Sequence, residues 1–353
     1  MLRLCYVASS VPICTMAEWI VVRASLGRGR GLLVSCLALA LTLGACSSSG
    51  QQTGSGPSAS GTHLTVFGAG TLAHPFAAVF TAFKAAHPGV TIDSKFEGSV
   101  ALTTEIAGVG APADVLGVAD YSLIPKSLFG AGGKKRFASW YVGFVANAIT
   151  FAYTDKSKGA AQLTPKNWYQ VLAQPGVRIG RSSPDTDPSG YQTLQMLQLA
   201  NGYYQDPKLS SAVLANSPNE TAATTETSLL AALQAGQIDY LAIYESDAKQ
   251  NGLKYLSLPP QINLSQAGMA KTYGTVSVAT ASGPRVGKPI VYGLTVLDNA
   301  ADKALAEQFA AFVIGPQGQD IMRSNGFVPL LPALSAGALP ASLAAFATPW
   351  PSH

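Results

Sequence analysis

Cysteine is missing from the body of the chain. All four cysteines lie within the first 46 residues, so residues 47–353 can form neither a disulfide nor a thiolate metal site. Histidine is scarce as well, because the four histidines of the chain are scattered and lack the spacing of metal ligands. The folded part must therefore be stabilised by an ordinary apolar core.

A surplus of charge of one sign is also absent from the body. Of the 23 basic and 19 acidic residues, four basic residues and one acidic residue lie in residues 1–45, which leaves a net charge of +1 for the remainder. A nearly neutral body has no basic footprint for a nucleic acid. The remainder of the chain is too long for one small core, and we expect two lobes.

The chain has no apolar run long enough to span a bilayer. The run at residues 32–43 is shorter than the ~20 residues that a spanning helix needs. It follows Arg23, Arg28 and Arg30 and ends in small residues, as secretion signals do. Residues 1–45 are therefore predicted to be a signal peptide.

The end of this signal resembles the lipobox of bacterial lipoproteins. Its residues are Leu43-Gly44-Ala45-Cys46, and in a lipobox the cysteine is acylated and becomes the new N-terminus. The alternative is an ordinary signal peptide with a chance cysteine. We expect Cys46 to carry lipid, residues 46–61 to be a flexible Ser/Gly tether, and the protein to lie on the outer face of the cytoplasmic membrane, periplasmic or at the cell surface.

Strand and helix patterns alternate from residue 63 onward. Apolar strand patterns at 63–67, 90–92 and 113–118 are separated by helical spacing at 71–86 and 98–106. Further strands are predicted at 177–180, 238–244 and 291–297, and further helices at 168–172, 191–200, 228–235 and 301–313, with a short helix from the break at Gly315-Pro316 to Ser324. This alternation predicts an α/β fold with sheets covered by helices. The Ala/Pro-rich residues after Pro329 are assigned no fold.

Seven short segments carry a resemblance to a known family. They occur in the order Gly70-Thr71-Leu72, Phe96-Glu97-Gly98-Ser99, Val118-Ala119-Asp120-Tyr121, Asn167-Trp168-Tyr169, Ser183-Pro184-Asp185-Thr186-Asp187-Pro188-Ser189-Gly190-Tyr191, Tyr244-Glu245-Ser246 and Leu258-Pro259-Pro260-Gln261-Ile262-Asn263-Leu264. The ordered set, over about residues 62–330, resembles the molybdate/tungstate-binding lipoproteins of ABC importers, the tungstate-type branch of the extracellular solute-binding proteins.

The resemblance implies a two-lobed periplasmic-binding-protein fold of type II-like form, with each lobe a mixed sheet flanked by helices. Lobe I would comprise residues 62–145 and 276–335, lobe II residues 146–275, and residues 336–353 would form a tail. It also implies a monomeric binding protein rather than an enzyme, without a cofactor, that captures tungstate or molybdate between its lobes and delivers it to an ABC transporter permease.

Three predicted site residues lie where strands turn into helices. Gly70, Thr71 and Ser99 stand at such turns, where backbone N–H groups and a partial positive charge suit an oxyanion. Taken alone, Thr71 and Ser99 fit better as helix N-caps. The resemblance instead makes all three of them ligand-binding residues.

The resemblance also implies two carboxylate ligands, Asp187 and Glu245. Molybdenum(VI) and tungsten(VI) are hard centres that can expand from four to six oxygen ligands, which carboxylates would complete. Taken alone, Asp187 fits a turn residue and Glu245 a surface acid. Pro188, Ser189 and Asn263 complete the predicted site. The chain departs from the family pattern at two places. It has Ser189-Gly190-Tyr191-Gln192 where the family often has Cys followed by Gly-Tyr-Arg, and it has Thr71 where Ser is more usual.

Two other functions remain open from the sequence. The ligand could be sulfate, phosphate or another small anion, but such a site would consist of donors only, against which Asp187 and Glu245 argue. The same two acids could be the general acid and base of an extracellular hydrolase. The sequence contains no Gly-x-Ser-x-Gly nucleophile elbow and no histidine placed to activate a hydroxyl.

The lipobox hypothesis is tested by Cys46→Ala. We expect this substitution to abolish lipid attachment, because the thioether would form at that sulfur. Metabolic labelling with a radioactive fatty acid, followed by cell fractionation, measures the attachment. Cys36→Ala, which alters a cysteine inside the apolar run, is the matched control and should leave labelling unchanged. Normal labelling of Cys46→Ala would contradict the assignment.

Overall fold

The computed structural model describes residues 62–219 and 222–350. The predicted signal peptide at 1–45, the lipidation site Cys46 and the tether at 46–61 lie outside the described residues, as do the last three residues of the tail. Among the helices of the described ranges, none is long and apolar enough to cross a membrane.

Strands and helices alternate through most of the described chain. The strands are β1 His63–Ala69, β2 Thr91–Glu97, β3 Val115–Val118, β4 Trp140–Ala146, β5 Ile149–Tyr153, β6 Ile179–Gly180, β7 Tyr240–Tyr244, β8 Lys254–Tyr255, β9 Ser277–Val278, β10 Arg285–Val286, β11 Val291–Val296, β12 Val328–Gly337 and β13 Ala347–Pro349. The helices are α1 Ala73–Ala86, α2 Ser99–Val109, α3 Leu123–Leu128, α4 Trp168–Leu172, α5 Pro188–Tyr203, α6 Leu209–Leu214, α7 Leu230–Gln234, α8 Glu245–Gln250, α9 Ala270–Tyr273, α10 Lys303–Ile314 and α11 Pro316–Ser324.

Two mixed sheets organise these elements, as predicted. The larger sheet has the strand order β13-β12-β4-β11-β3-β1-β2, in which β1 pairs in parallel with β2 and β3 whereas β11 and β4 run antiparallel to their neighbours. The smaller sheet has the order β6-β7-β5-β8. We call the part built on the larger sheet lobe I and the part built on the smaller sheet lobe II. The fold is the two-lobed fold of periplasmic binding proteins.

Helical spacing of aromatic residues positions α1 and α10 on the larger sheet. Phe76, Phe83 and Phe309 are fully buried, and the ring centroids of Phe83 and Phe309 lie 5.1 Å apart. A fully buried ring of this size contributes roughly 1.5–3 kcal/mol to the free energy of unfolding. This packing fixes the start of α1, and with it the turn after β1, against the sheet.

The chain passes from lobe I to lobe II between β4 and β5, and it returns before β11. At this hinge the backbone N–H of Asn147 donates to the carbonyl of Ile290 (3.2 Å), and that of Ile149 donates to the carbonyl of Asn263 (3.0 Å). The connecting segments therefore form a common floor between the lobes. The lobe boundaries at 145/146 and 275/276 stay a prediction.

The Ala/Pro-rich end of the chain, to which the sequence assigns no fold, forms the long strand β12 and the short strand β13. The pairing of β12 with β4 is interrupted between Pro329 and Leu334, so Pro332 lies in the interruption, where a missing N–H does not break the ladder. Trp350 then stacks on Tyr121 of lobe I, with ring centroids 4.3 Å apart. The prolines concealed this strand from a pattern-based prediction.

Candidate functional site

Lobe I presents two helix starts to the cleft, and neither is capped by a side chain. Thr71 lies in the 3-10 turn Gly70–Leu72 before α1, and its Oγ1 lies 2.9 Å from the Tyr292 hydroxyl. Ser99 is the first residue of α2, follows the cap residue Gly98, and its Oγ accepts from the backbone N–H of Ala119 at 3.0 Å. Both hydroxyls are buried. The capping interpretation of these two residues is therefore wrong.

Lobe II presents Asp187, Pro188 and Ser189 at the start of α5. Asp187 occupies the N-cap position in extended conformation, and Pro188 is the first helical residue, where a missing N–H costs nothing. The Ser189 hydroxyl lies 2.6 Å from the Ser182 hydroxyl and 3.3 Å from Oδ2 of Asp187. Asp187 and Ser189 are both buried.

The carboxyl group that the structure places beside Asp187 belongs to Glu226, which the sequence analysis missed. Ser189 donates to Oε2 of Glu226 at 2.8 Å, and Oδ2 of Asp187 accepts from the backbone N–H of Glu226 at 3.4 Å. Glu226 is only 1% exposed, and its Oε1 has no hydrogen-bond partner within the described part of the chain. Its one signal in the sequence is an acid within a threonine-rich segment before α7.

Burial and like charge keep protons on this cluster. Burial, followed by the charge of Asp187, raises the pKa of Glu226 well above its usual range. Burial likewise raises the pKa of Asp247, which follows Ser246 at the start of α8, to about 8, and the charge of Asp187 adds to this effect. The three carboxyl groups therefore act on one another across the site.

Glu245 and Asn263 lie elsewhere, and the predicted pairing of Glu245 with Asp187 is corrected. Glu245 forms an ion pair with Lys249 (3.7 Å). It lines a cavity of about 700 Å³ together with Asn263 and Val291. The neighbour of Val291 on β11, Tyr292, points the other way, to Thr71. This cavity therefore lies on the opposite face of β11 from the cleft.

Strand alternation explains the displacement of Glu245. The hydroxyl of Tyr244, at the end of β7, donates to Oε1 of Gln192 (2.6 Å) on α5. Successive side chains of a strand point to opposite faces, so the next residue, Glu245, points away from that face. Ser246 belongs to the first turn of α8, after the strand has ended, and is fully buried. Two residues of the Tyr-Glu-Ser motif, Tyr244 and Ser246, therefore face the site, and Glu245 does not.

The lobes touch around this site. The backbone N–H of Ala101 in lobe I donates to the carbonyl of Thr186 in lobe II at 3.2 Å. A β-carbon on Gly98 would lie 2.3 Å from that same carbonyl oxygen. On a second side, the Tyr191 hydroxyl donates to Oδ2 of Asp120 at 2.7 Å. The structure therefore has a closed cleft.

Two kinds of group meet in this cleft. Hydroxyl and backbone N–H donors at helix starts can bind the oxygens of an anion. Buried carboxylates repel a simple anion but can supply oxygen ligands to a hard central atom. The combination suits an oxyanion whose central atom accepts further oxygen ligands.

Comparison with known proteins places this chain among solute-binding proteins. A family model described as bacterial extracellular solute-binding protein matches residues 64–328. The chain is 37% identical over 307 residues to an uncharacterised solute-binding protein of Methanoculleus marisnigri, which covers 79% of this chain and 85% of the relative. It is 33% identical over 339 residues to the molybdate/tungstate-binding protein WtpA of Pyrococcus abyssi, and this alignment covers 88% of this chain and 96% of the relative.

Solved structures share the fold at low sequence identity. The periplasmic molybdate-binding protein of Azotobacter vinelandii matches with a TM-score of 0.54 and 20% identity, over 75% of this chain and 98% of its own. The sulfate-binding protein SubI of Mycobacterium tuberculosis matches with a TM-score of 0.51 and 17% identity, over 82% of this chain and 94% of its own. Both comparisons concern the fold alone.

Lobe contact at Gly98 generates a first prediction for this site. Gly98→Ala should weaken ligand binding by at least ~10-fold, because its methyl group meets a backbone carbonyl only in the closed form and so shifts the equilibrium toward the open form. Gly108→Ala, near the other end of α2 and with open space around it, is the matched control. Titration calorimetry measures the affinity for the ligand, and small-angle scattering measures the radius of gyration of the protein, which reports lobe closure. Wild-type affinity in Gly98→Ala would contradict closure at this contact.

The buried carboxyl groups generate a prediction about pH. The folded protein retains a proton on Asp247 up to about pH 8, whereas the unfolded chain releases it near 3.8. The resulting stabilisation is complete below the unfolded value and is lost as the pH rises through the folded value. The Tm of the unliganded protein should fall from about pH 5 to about pH 8, and Asp247→Asn should flatten this slope.

Asp155→Asn is the matched control for this scan, because its side chain is 83% exposed and its partner Lys254 stays charged throughout this pH range. It should leave the dependence of Tm on pH unchanged. An Asp247→Asn variant with the wild-type slope would show that Asp247 ionises alike in the folded and unfolded states.

Proposed function

The chain belongs to the bacterial extracellular solute-binding protein family, and from this premise we propose that it captures tungstate or molybdate outside the cytoplasm and delivers it to an ABC transporter permease. The name of the Pyrococcus abyssi relative, a molybdate/tungstate-binding protein that is 33% identical and aligned over 88% of this chain, supports the ligand class. The proposal includes no resident cofactor.

One observation carries the choice of ligand: the buried pair Asp187 and Glu226 in a cleft that otherwise offers donors. A sulfate or phosphate site gains nothing from two acids, because sulfur and phosphorus do not add oxygen ligands in water. Tungsten(VI) and molybdenum(VI) do, and a carboxylate oxygen suits such a hard centre. Oε1 of Glu226, buried and without a hydrogen-bond partner within the described residues, is the oxygen that we assign to the metal centre.

The remaining contacts follow from the geometry on each side of the cleft. Thr71 and Ser99, with the N–H groups at their helix starts, would bind oxygens of the anion from lobe I. Asp187 would be the second carboxylate ligand, and Ser189, which donates to Glu226, would orient it. Sulfate and phosphate cannot coordinate the two acids, so the charge of Asp187, and the cost of ionising the buried Glu226, would count only against them.

We further propose how the protein is held near its permease. Acylation at Cys46 would anchor it to the outer face of the cytoplasmic membrane, and residues 46–61 would let the two-lobed body reach the permease as a monomer. A Ser/Gly segment of this kind behaves as a flexible chain, so it restricts the body without orienting it.

The carboxylate ligands are tested by Glu226→Gln, which keeps the shape of the side chain. If Glu226 binds the metal centre, tungstate affinity should fall ~10–100-fold, the range typical for loss of a group that supports a metal. If Glu226 only lines an anion pocket, affinity should instead stay the same or rise, because a protonated Glu226 resembles Gln and an ionised one repels the anion. Titration calorimetry with tungstate and molybdate shows whether the substitution lowers the affinity. Asp187→Asn should behave like Glu226→Gln.

Glu245→Gln is the matched control, because Glu245 lies in the cavity behind the hinge and should leave tungstate affinity unchanged. Sulfate is the control ligand, and its weak binding should stay the same or strengthen in Glu226→Gln. Tighter tungstate binding by both cleft variants would remove the carboxylates from the ligand set. Wild-type binding of sulfate in preference to tungstate would overturn the proposed function.

A further inference from the structure

Four buried groups form a hydrogen-bonded chain across the floor of the cleft, from lobe I to lobe II. Oγ1 of Thr71 lies 2.9 Å from the hydroxyl of Tyr292 on β11, which lies 3.4 Å from Nδ2 of Asn147 at the hinge. Nδ2 of Asn147 also donates to Oγ of Ser246 in lobe II at 2.8 Å. The chain joins the helix start at Thr71 to the helix start at Ser246.

The orientation of the Asn147 amide is fixed by backbone groups. Its Oδ1 accepts from the backbone N–H of Ala148 at 2.9 Å and from that of Ser246 at 3.4 Å. Backbone N–H groups can only donate, so the atom facing them must be the oxygen. The other end of the amide is therefore the nitrogen, which can only donate.

This fixed donor sets which group donates and which accepts along the whole row of hydrogen bonds. Because Nδ2 of Asn147 donates to them, the hydroxyl oxygens of Tyr292 and Ser246 are acceptors, and each has its own hydrogen to give elsewhere. Ser246 donates to Oδ2 of Asp247 at 3.2 Å. Among the described residues, Oγ1 of Thr71, 2.9 Å away, is the one partner left for the hydrogen of Tyr292, so we assign the donor role in this pair to Tyr292. Thr71, as the acceptor, keeps its own hydrogen for an acceptor in the cleft.

Packing holds the Tyr292 hydroxyl in place. Tyr292 is fully buried, and its ring lies edge-on to Tyr244 and Phe327, with centroids 5.8 Å and 5.2 Å away. Burial, followed by the charge of Asp247, raises the pKa of Tyr292 well above its usual range, so the phenol keeps its hydrogen. Tyr292 is thus a permanent donor at a fixed point.

We infer that Asn147 and Tyr292 are positioning residues for the anion site, which hold the Thr71 hydroxyl with its hydrogen directed at the bound oxyanion. The inference rests on the proposed function of the same cleft. Neither residue contacts the ligand in this account. Their effect on affinity therefore passes through Thr71, and removing the hydroxyl of Thr71 should remove the effect.

A double-mutant cycle tests this dependence. Tyr292→Phe removes the donor to Thr71 and should weaken tungstate binding by up to ~10-fold, the value of one net hydrogen bond. Thr71→Val removes the hydroxyl and should weaken binding by at least as much. The double variant should bind like Thr71→Val alone, because residues that act through one group are not additive. In a Thr71→Ser background, which keeps the hydroxyl, Tyr292→Phe should again weaken binding.

Tyr240→Phe is the matched control, because Tyr240 is also fully buried but donates to the carbonyl of Lys158 in lobe II. It should leave affinity unchanged. Should Tyr292→Phe fail to fold, as judged by its melting transition, the same cycle with Asn147→Ala gives the second measurement.

Each outcome decides the inference. Additive losses in the double variant, or wild-type affinity in Tyr292→Phe, would overturn it, because Tyr292 would then affect binding independently of Thr71 or not at all. Both of those results leave the proposed function standing, since tungstate still binds. A wild-type protein that binds neither tungstate, molybdate nor sulfate would overturn the proposed function and this inference together.

Discussion

Two buried acids that repel each other, Asp187 and Glu226, determine how the rest of the cleft is built. Both side chains lie near Ser189 at the start of α5, with Asp247 close enough to add to their repulsion. In the unliganded protein, protons on Glu226 and Asp247 relieve that repulsion. In the liganded protein we propose that the metal centre of an oxyanion relieves it. Burying these groups gains nothing for stability, and binding of the proposed ligand would account for their place in the cleft.

The donors complement these acids from the other side of the cleft. Thr71 and Ser99 lie at helix starts of lobe I, where N–H groups remain free of intrahelical partners. Gly98 permits the backbone of lobe II to approach these donors, since any β-carbon there would meet the carbonyl of Thr186. In the proposed function, lobe closure and ligand binding would be one event, in which the anion joins the donors of one lobe to the acids of the other.

The hinge contributes chemistry as well as a pivot. Asn147 lies on the segment that connects β4 to β5, and Tyr292 lies near the start of β11, just after the chain returns to lobe I. Their hydrogen bonds reach Thr71 on one side and Ser246 on the other. A residue on a crossing segment moves least when lobes rotate, so it is a suitable place for groups that orient donors of both lobes. The cavity behind the same hinge, with Glu245 and Asn263, is a separate surface, since adjacent residues of β11 point to opposite faces.

The sequence by itself determined the α/β alternation, the positions of most strands and helices, and the placement of Thr71, Ser99 and Asp187 where elements begin. These are local properties, set by periodicity, glycine and proline within a few residues. Only the tertiary structure decided which acid joins Asp187. Glu226 is 39 residues further along the chain and adjoins it through Ser189, whereas Glu245 directly follows a strand but points to the opposite face. The same holds for Tyr292, 221 residues from Thr71, and for β12, whose prolines concealed its pairing with β4. Contacts between distant residues depend on how sheets and helices pack, and no local pattern records that packing.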